Sequence, residues 1–120
     1  MMNDLYNKRI LHLAGDVPHL GRLDAPDARA DAVSRLCGSK VHVELCVAAG
    51  GRVTQFAHEL QACALGQASS SVMAREIIGS AATDLHSVAA QMRTMLKQNG
   101  PVPCLPEHPG KWKDLEVLTP

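Results

Sequence analysis

The chain has 120 residues, of which twelve are basic, twelve acidic and three aromatic. This length favours one domain with one core, and the balanced charge argues against nucleic acid or an anionic membrane as a partner. No apolar run approaches the roughly 18 residues of a membrane span. Because the N-terminus lacks the basic-then-apolar order of a secretory signal, a cytoplasmic location is the default expectation.

A short helix and a loop are predicted first along the chain. Apolar residues at helical spacing predict the helix over residues 3–16, and these are Leu5, Ile10 and Leu13. Gly15 is the expected stop. Residues 17–31 predict an extended loop, because two prolines and several aspartates disfavour a helix there.

Residues 41–61 predict a β-hairpin. Apolar side chains alternate with polar ones from Val41 to Val47, and Gly50 and Gly51 supply a turn signal. The return strand is less regular in its alternation, so we expect a bulge. We also expect His42 and His58 to face each other across the hairpin as a solvated pair.

Two helices are predicted after the hairpin. The first covers residues 64–78, and the second begins with Thr83 as its N-cap and ends at Gly100. One or two further helical turns are expected near residues 112–118. A hairpin followed by helices indicates an α+β fold, with helices packed on one face of a small antiparallel sheet.

Cys63 stands where the return strand ends and the next helix begins. The N-terminus of a helix favours negative charge, so a thiolate at this position would be a good nucleophile and metal ligand. The opposing interpretation is a buried structural cysteine, since unpaired cysteines are among the most buried residue types. Local sequence leaves both interpretations open.

Cys37 is predicted to meet Cys63 at one end of the hairpin. Counting outwards from the turn at Gly50 and Gly51 pairs Cys37 with Ala64. Two thiolates at this end of the sheet could bind a soft metal if one or two more ligands joined them.

The remaining candidate residues carry weaker signals. Cys46 is expected on the opposite face of the sheet, as a structural or incidental residue, and Cys104 as a surface thiol without a role. The six histidines show no pair at metal-ligand spacing. The serines Ser69, Ser70 and Ser71 are expected in the first turns of a helix, with no base to make any of them a nucleophile.

Two motifs and the distance between them resemble the iron–sulfur cluster scaffold family, which includes IscU, SufU and the N-terminal domain of NifU. Cys37-Gly38-Ser39 before a valine-rich strand is similar to the family's Cys-Gly-Asp. Cys63 lies five residues before Ala68-Ser69-Ser70-Ser71, as the second cysteine of the family does. Residues 19–28 also resemble a segment upstream of the first motif, and the likeness covers about residues 5–100.

The resemblance implies an α+β domain with about three antiparallel strands and a role as an assembly scaffold rather than an enzyme. A scaffold accepts sulfur from a cysteine desulfurase, builds a transient [2Fe–2S] cluster with iron and passes it to apo-proteins; the same site often holds zinc. By resemblance, Cys37 and Cys63 are cluster and metal ligands, and Ser39 is a weak ligand because it replaces the family's aspartate. Ala62 replaces the family's glycine.

The family's third cysteine lies in a C-terminal helix and has no counterpart here, since Cys104 comes too early. We therefore expect residues 1–120 to form one domain without that helix. Two alternatives stay open: a SufE-like persulfide carrier that uses one thiolate and no metal, and a degenerate module that binds the desulfurase without chemistry. A homodimer stays open as well.

Overall fold

The computed structural model describes residues 4–34, 38–108 and 110–118, with side chains from residue 8 onwards. In chain order the elements are α1 (Asp4–Gly15), β1 (Ala28–Val33), β2 (Lys40–Val47), β3 (Val53–Gln61), α2 (Ala64–Glu76), α3 (Ala82–Gln98) and a 3₁₀ helix (Lys113–Leu118). This architecture confirms the α+β fold expected from the sequence.

The three strands form one antiparallel sheet in the order β1-β2-β3. Lys40 pairs with Gln61 and Leu45 with Phe56, and the register shifts between Cys46 and Val47. The shift is the expected bulge. The register up to Cys46 is the one obtained by counting outwards from the glycine turn, so the arithmetic used for the candidate site holds along the described part of the hairpin.

The core lies between the sheet and the helices and is mostly aliphatic. It includes Phe56 of β3, Val72 of α2, Val88 of α3 and Trp112 near the C-terminal end. α2 contacts α1, β3 and the 3₁₀ helix. Because α2 follows β3 after only two residues and packs back onto it, the start of α2 is held beside the end of the sheet.

Residues 16–27, called here the crossing segment, connect α1 to β1. At one side the main chain of His19 and Gly21 bonds to both main-chain groups of His58, along the outer edge of β3. At the other side Asp27 donates its N–H to the carbonyl oxygen of Leu45. Between these anchors the segment passes over Glu44, whose side chain points away from the helices because its neighbour Leu45 packs towards them.

The crossing segment is held by the buried carboxylate of Glu44, which is only 2% exposed. Its oxygens accept the N–H of Leu23 at 2.9 Å and the Arg22 Nε–H at 2.7 Å, and His42 Nε2 lies 2.8 Å away. The hydrogen bonds from His42 first, and then from Leu23, lower the pKa of Glu44 to about 2. Glu44 and Asp31 in turn raise the pKa of His42.

Three sequence predictions are wrong. Residues 28–31 belong to β1 rather than to a loop: this alanine-rich strand is defined by pairing with β2 and not by its own β propensity. The N-cap of α3 is Ala81, not Thr83, because the Asp84 carboxylate accepts the Ala81 N–H at 3.0 Å. His42 and His58 do not face each other, since His42 pairs with Glu59.

Replacing Glu44 with Gln tests the anchoring of the crossing segment. The lowered pKa of Glu44 means that its carboxylate stabilises the fold above pH 4.5 and that this contribution is lost as the pH falls towards 2. The raised pKa of His42 gives a contribution that is present below pH 6.5 and lost as the pH rises through that raised value. We therefore expect the difference in unfolding free energy between wild type and E44Q to be largest between these limits.

Urea unfolding across this pH range measures the difference, and NMR titration of His42 gives a second readout. In E44Q the pKa of His42 is expected to fall towards 6.5, the value of a free histidine. A stability difference that stayed constant down to pH 2 would show that the charge of Glu44 does not anchor the segment.

Candidate functional site at the start of the second helix

Cys63 is the N-cap residue of α2 and has an extended backbone, with φ −68° and ψ 173°. Its carbonyl oxygen accepts the first helical hydrogen bond, from Gln67 N–H at 2.9 Å, and the Gln67 side chain donates to the Ala62 carbonyl at 2.8 Å. Its side chain is exposed. The interpretation of Cys63 as a buried core residue is therefore wrong.

The chain is tightly packed around Cys63, because Gly66 in the first turn of α2 faces Ala62 at the end of β3. A Cβ atom on Gly66 would lie 2.9 Å from the Cβ of Ala62, closer than real contacts allow. The missing side chain of Gly66 thus lets the end of β3 fold back over the first turn of α2. This contact fixes the direction in which Cys63 leaves the strand.

A cleft of about 350 Å³ opens beside this junction, between the β1–β2 end of the sheet and α2. Four hydroxyl side chains line it, and its other walls are small or aliphatic except for Lys40. The lining residues are Ala32, Val33, Ser34, Ser39, Lys40, Val41, Leu60, Ala62, Gly66, Ser69 and Ser70. Ser39, the candidate weak ligand, therefore lies in the same cleft as Ala62, the residue directly before Cys63, and Gly66.

The link between β1 and β2 is closed by two main-chain hydrogen bonds. Ser34 donates to the Ser39 carbonyl at 2.8 Å, and Gly38 donates to the Ser34 carbonyl at 2.9 Å. Gly38 has φ +74°, a conformation that side chains disfavour, as expected from its place in the motif. Cys37 lies outside the described residues, so its predicted meeting with Cys63 stays a prediction.

The other cysteines lie elsewhere. Cys46 is on the crossing-segment side of the sheet and donates from its sulfur to the Ala25 carbonyl at 3.4 Å, in agreement with a structural role. The main chain of Cys104 exchanges hydrogen bonds with the Gln91 side chain of α3. Across residues 4–34, 38–108 and 110–118, no three His, Cys, Asp or Glu side chains come together as metal ligands.

Ser71 of α2 has structural partners rather than a catalytic one. Ser71 is fully buried; its hydroxyl donates to the Asp16 carbonyl at 3.3 Å and accepts from Arg75 Nε–H at 3.1 Å. Arg75 also donates to the Asp16 carbonyl at 2.6 Å. These bonds tie α2 to the end of α1, and they hold the helix that carries Cys63.

Two features were not predicted from the sequence: the burial of His58 and the position of Lys40 in the lining of the cleft. His58 is 0% exposed and stacks at a tilt on Phe56, with Nε2 3.0 Å from the Pro18 carbonyl oxygen. Burial lowers the pKa of His58 and favours its neutral form. The alternation of Phe56, His58 and Leu60 was the sequence signal that could have predicted which face of the sheet His58 occupies. For Lys40 the signal was its position directly after Ser39.

The domain thus combines a three-stranded antiparallel sheet, helices on one face of that sheet and an exposed cysteine at the start of a helix. The model of the NifU-like N-terminal domain matches residues 5–110. The chain therefore belongs to the NifU-like N-terminal domain family, which confirms the resemblance to the iron–sulfur cluster scaffolds drawn from the sequence.

Solved structures agree with this assignment. The N-terminal part of a nitrogen-fixing NifU-like protein from Brucella abortus is 50% identical, with a TM-score of 0.86; the match covers 97% of this chain and 76% of that one. A putative iron–sulfur cluster assembly scaffold protein for the SUF system from Fervidobacterium islandicum AW-1 is 20% identical, with a TM-score of 0.68 and 73% and 64% coverage. At this identity the second likeness concerns the fold alone.

A comparison with curated protein sequences gave no match. Within the part of the chain that the structure describes, no helix is both long and apolar enough to cross a membrane.

Replacing Gly66 with Ala tests the tight junction. The added methyl group would overlap with Ala62, so we expect a loss of about 1–3 kcal/mol in unfolding free energy, measured by urea denaturation. The matched variant A62G/G66A removes the opposing methyl group and should recover most of the loss. If the double variant were no more stable than G66A, the contact with Ala62 would not be the cause.

Proposed function

We propose that this protein is an iron–sulfur cluster assembly scaffold that builds a transient [2Fe–2S] cluster on Cys63 and Cys37. Membership of the NifU-like N-terminal domain family supports the scaffold role. The observation that carries the site is the exposed thiol of Cys63 at the N-terminus of α2, beside a cleft that also contains Ser39. In this role the protein binds its cargo stoichiometrically and is not an enzyme.

The position of Cys63 suits a thiolate. The unpaired N–H groups in the first turn of α2 and the helix dipole favour negative charge at the N-cap. Lys40, the one charged residue among the described residues that line the cleft, lies at the same end of the sheet. A thiolate is the form of cysteine that binds iron and attacks sulfur.

Cys37 is proposed as the second thiolate. It precedes Gly38 and Ser39 directly, and Ser39 lines the cleft beside Cys63. The observed pairing of Lys40 with Gln61 brings the two chain segments together at this end of the sheet. Consecutive Cα atoms lie 3.8 Å apart, so the segment from Cys37 to Lys40 is short. Both sulfurs can then reach one metal ion, each at a bond distance of about 2.3 Å.

The ligands proposed for this metal bind it weakly, and we infer that weak binding helps the protein to release the cluster to an acceptor. Two thiolates and the hydroxyl of Ser39 are fewer strong ligands than a closed structural site uses. Cluster irons would keep positions for exogenous ligands, so an acceptor with stronger ligands could take the cluster.

The sulfur is proposed to arrive as a persulfide. The thiolate of Cys63 or Cys37 attacks the terminal sulfur of a desulfurase persulfide; a new S–S bond forms on this protein and the desulfurase leaves as a thiolate. Reduction of this persulfide to sulfide takes two electrons from an external reductant. The exposure of Cys63 provides the access that the attack requires.

Anaerobic reconstitution tests the proposal. The protein is incubated with ferrous iron, cysteine, a cysteine desulfurase and a thiol reductant, and the visible spectrum and bound iron are recorded. We expect cluster charge-transfer bands in the wild type and none in Cys37→Ala or Cys63→Ala. The matched controls Cys46→Ala and Cys104→Ala should keep the bands, because both residues lie away from the cleft.

The other outcomes of this experiment separate the alternatives. Sulfane sulfur bound to Cys63 or Cys37 without iron would contradict the scaffold and indicate a persulfide carrier. Binding of the desulfurase with neither sulfur nor iron retained would indicate a module without chemistry.

Replacing Ser39 with Asp tests the weak binding. A carboxylate at this position supplies a stronger ligand than a hydroxyl, so we expect zinc affinity to rise at least about tenfold. Competition with a chelator measures the affinity, and Ser34→Asp, on the same cleft, is the control that should change it less. Equal affinity of Ser39→Asp and wild type would exclude residue 39 from the coordination shell.

A further inference from the structure

Strand β1 forms an exposed edge of the sheet. The strand order places β1 outermost, and all six of its residues are exposed. The edge at β3 differs, because the main chain of His19 and Gly21 bonds to His58 there. Open strand edges carry unpaired N–H and C=O groups that pair readily with another strand.

The main-chain groups of alternate β1 residues point outwards. Ser34 bonds to Ser39 across the β1–β2 pair, so the even-numbered residues of this strand direct their N–H and C=O groups towards β2. The odd-numbered residues, Arg29, Asp31 and Val33, therefore direct theirs to the outer edge. A strand that docks there would bond to these three residues.

The sequence of this edge is complementary to itself. Residues 28–32 read Ala-Arg-Ala-Asp-Ala, which is symmetric about Ala30 except that Arg29 and Asp31 have opposite charges. An antiparallel copy with its two-fold axis at Ala30 pairs Arg29 with Asp31 of the second copy, and the reverse. These are outward-pointing residues, so each such pair also exchanges two main-chain hydrogen bonds.

Compared with the symmetric registers centred on Arg29 or Asp31, only the register centred on Ala30 places opposite charges across from each other. Arg29 and Asp31 share the face opposite the helices, where cross-strand charge pairs stabilise a sheet. Asp31 contacts His42 through Oδ1 at 2.7 Å, yet its side chain is 70% exposed and can take a second partner. Moving the axis to Arg29 or to Asp31 would place like charges opposite each other, which is destabilising.

The alanines make close approach easy on the other face. Ala28, Ala30 and Ala32 are exposed because the helix layer does not cover β1, and their small side chains leave room for a second strand. In this register Ala28 of the second copy lies opposite Ala32, which lines the cleft described above.

We propose that the β1 strands of two copies of this protein pair in an antiparallel register centred on Ala30 and join two three-stranded sheets into one of six strands. The contact is one strand wide, so the dimer is weak and forms as the protein concentration rises. It requires no metal, and its test is independent of the proposed scaffold function.

Sedimentation equilibrium of the metal-free protein, from about 10 µM to about 1 mM, tests the proposal. The wild type should move from 12.8 kDa towards twice that mass. R29E places like charges opposite each other in both pairs and should raise the dissociation constant about tenfold or more. The control R93E makes the same charge change on an exposed residue of α3 and should not alter it.

Charge exchange makes the test specific. D31R should also weaken the dimer, whereas the double variant R29E/D31R restores opposite charges across the axis and should dimerise like the wild type. Mixing R29E with D31R should give heterodimers, and circular dichroism checks that each variant is folded. A wild type that stays monomeric at about 1 mM, or an R29E protein that dimerises unchanged, would overturn the proposal.

Discussion

The antiparallel register of β2 and β3 is the constraint on which the rest of the structure depends. A slip of one residue would turn Glu44 towards the helices and Leu45 towards the crossing segment, exchanging the two faces of the sheet. The observed register instead puts Leu45 and Phe56 in the core. It also sets Lys40 opposite Gln61, so Ser39 and Ala62, the residue before Cys63, line one cleft at the end of the hairpin.

Each face of this sheet solves a different problem. On the helix side, aliphatic packing holds α2 and therefore the first turn that carries Cys63. On the other side, the crossing segment lies on the sheet, and the buried carboxylate of Glu44 keeps it in place by binding Arg22, Leu23 and His42. Removing the Glu44 carboxylate would take a partner from the Leu23 N–H and would leave Arg22 with Glu59 and His42 with Asp31.

The hairpin and the position of α2 could be predicted because local signals agreed: alternation, a glycine turn and a helical pattern. β1 could not, because its alanines have little strand propensity and only β2 defines it. Local sequence left the exposure of Cys63 open, and the structure decided it. The contact of His58 with Pro18 and the anchoring by Glu44 depend on the crossing segment, which reaches β3 from about 40 residues earlier in the chain. Sequence spacing alone carries no signal for such a long-range contact.

The central claim is that Cys37 and Cys63 share one metal at the N-terminus of α2. X-ray absorption spectroscopy of the zinc-loaded protein tests it most directly, because the extended fine structure counts sulfur neighbours at their bond distance. The account predicts two sulfur atoms at about 2.3 Å, with oxygen or nitrogen atoms completing the shell. A shell with one sulfur atom, or with none, would contradict it.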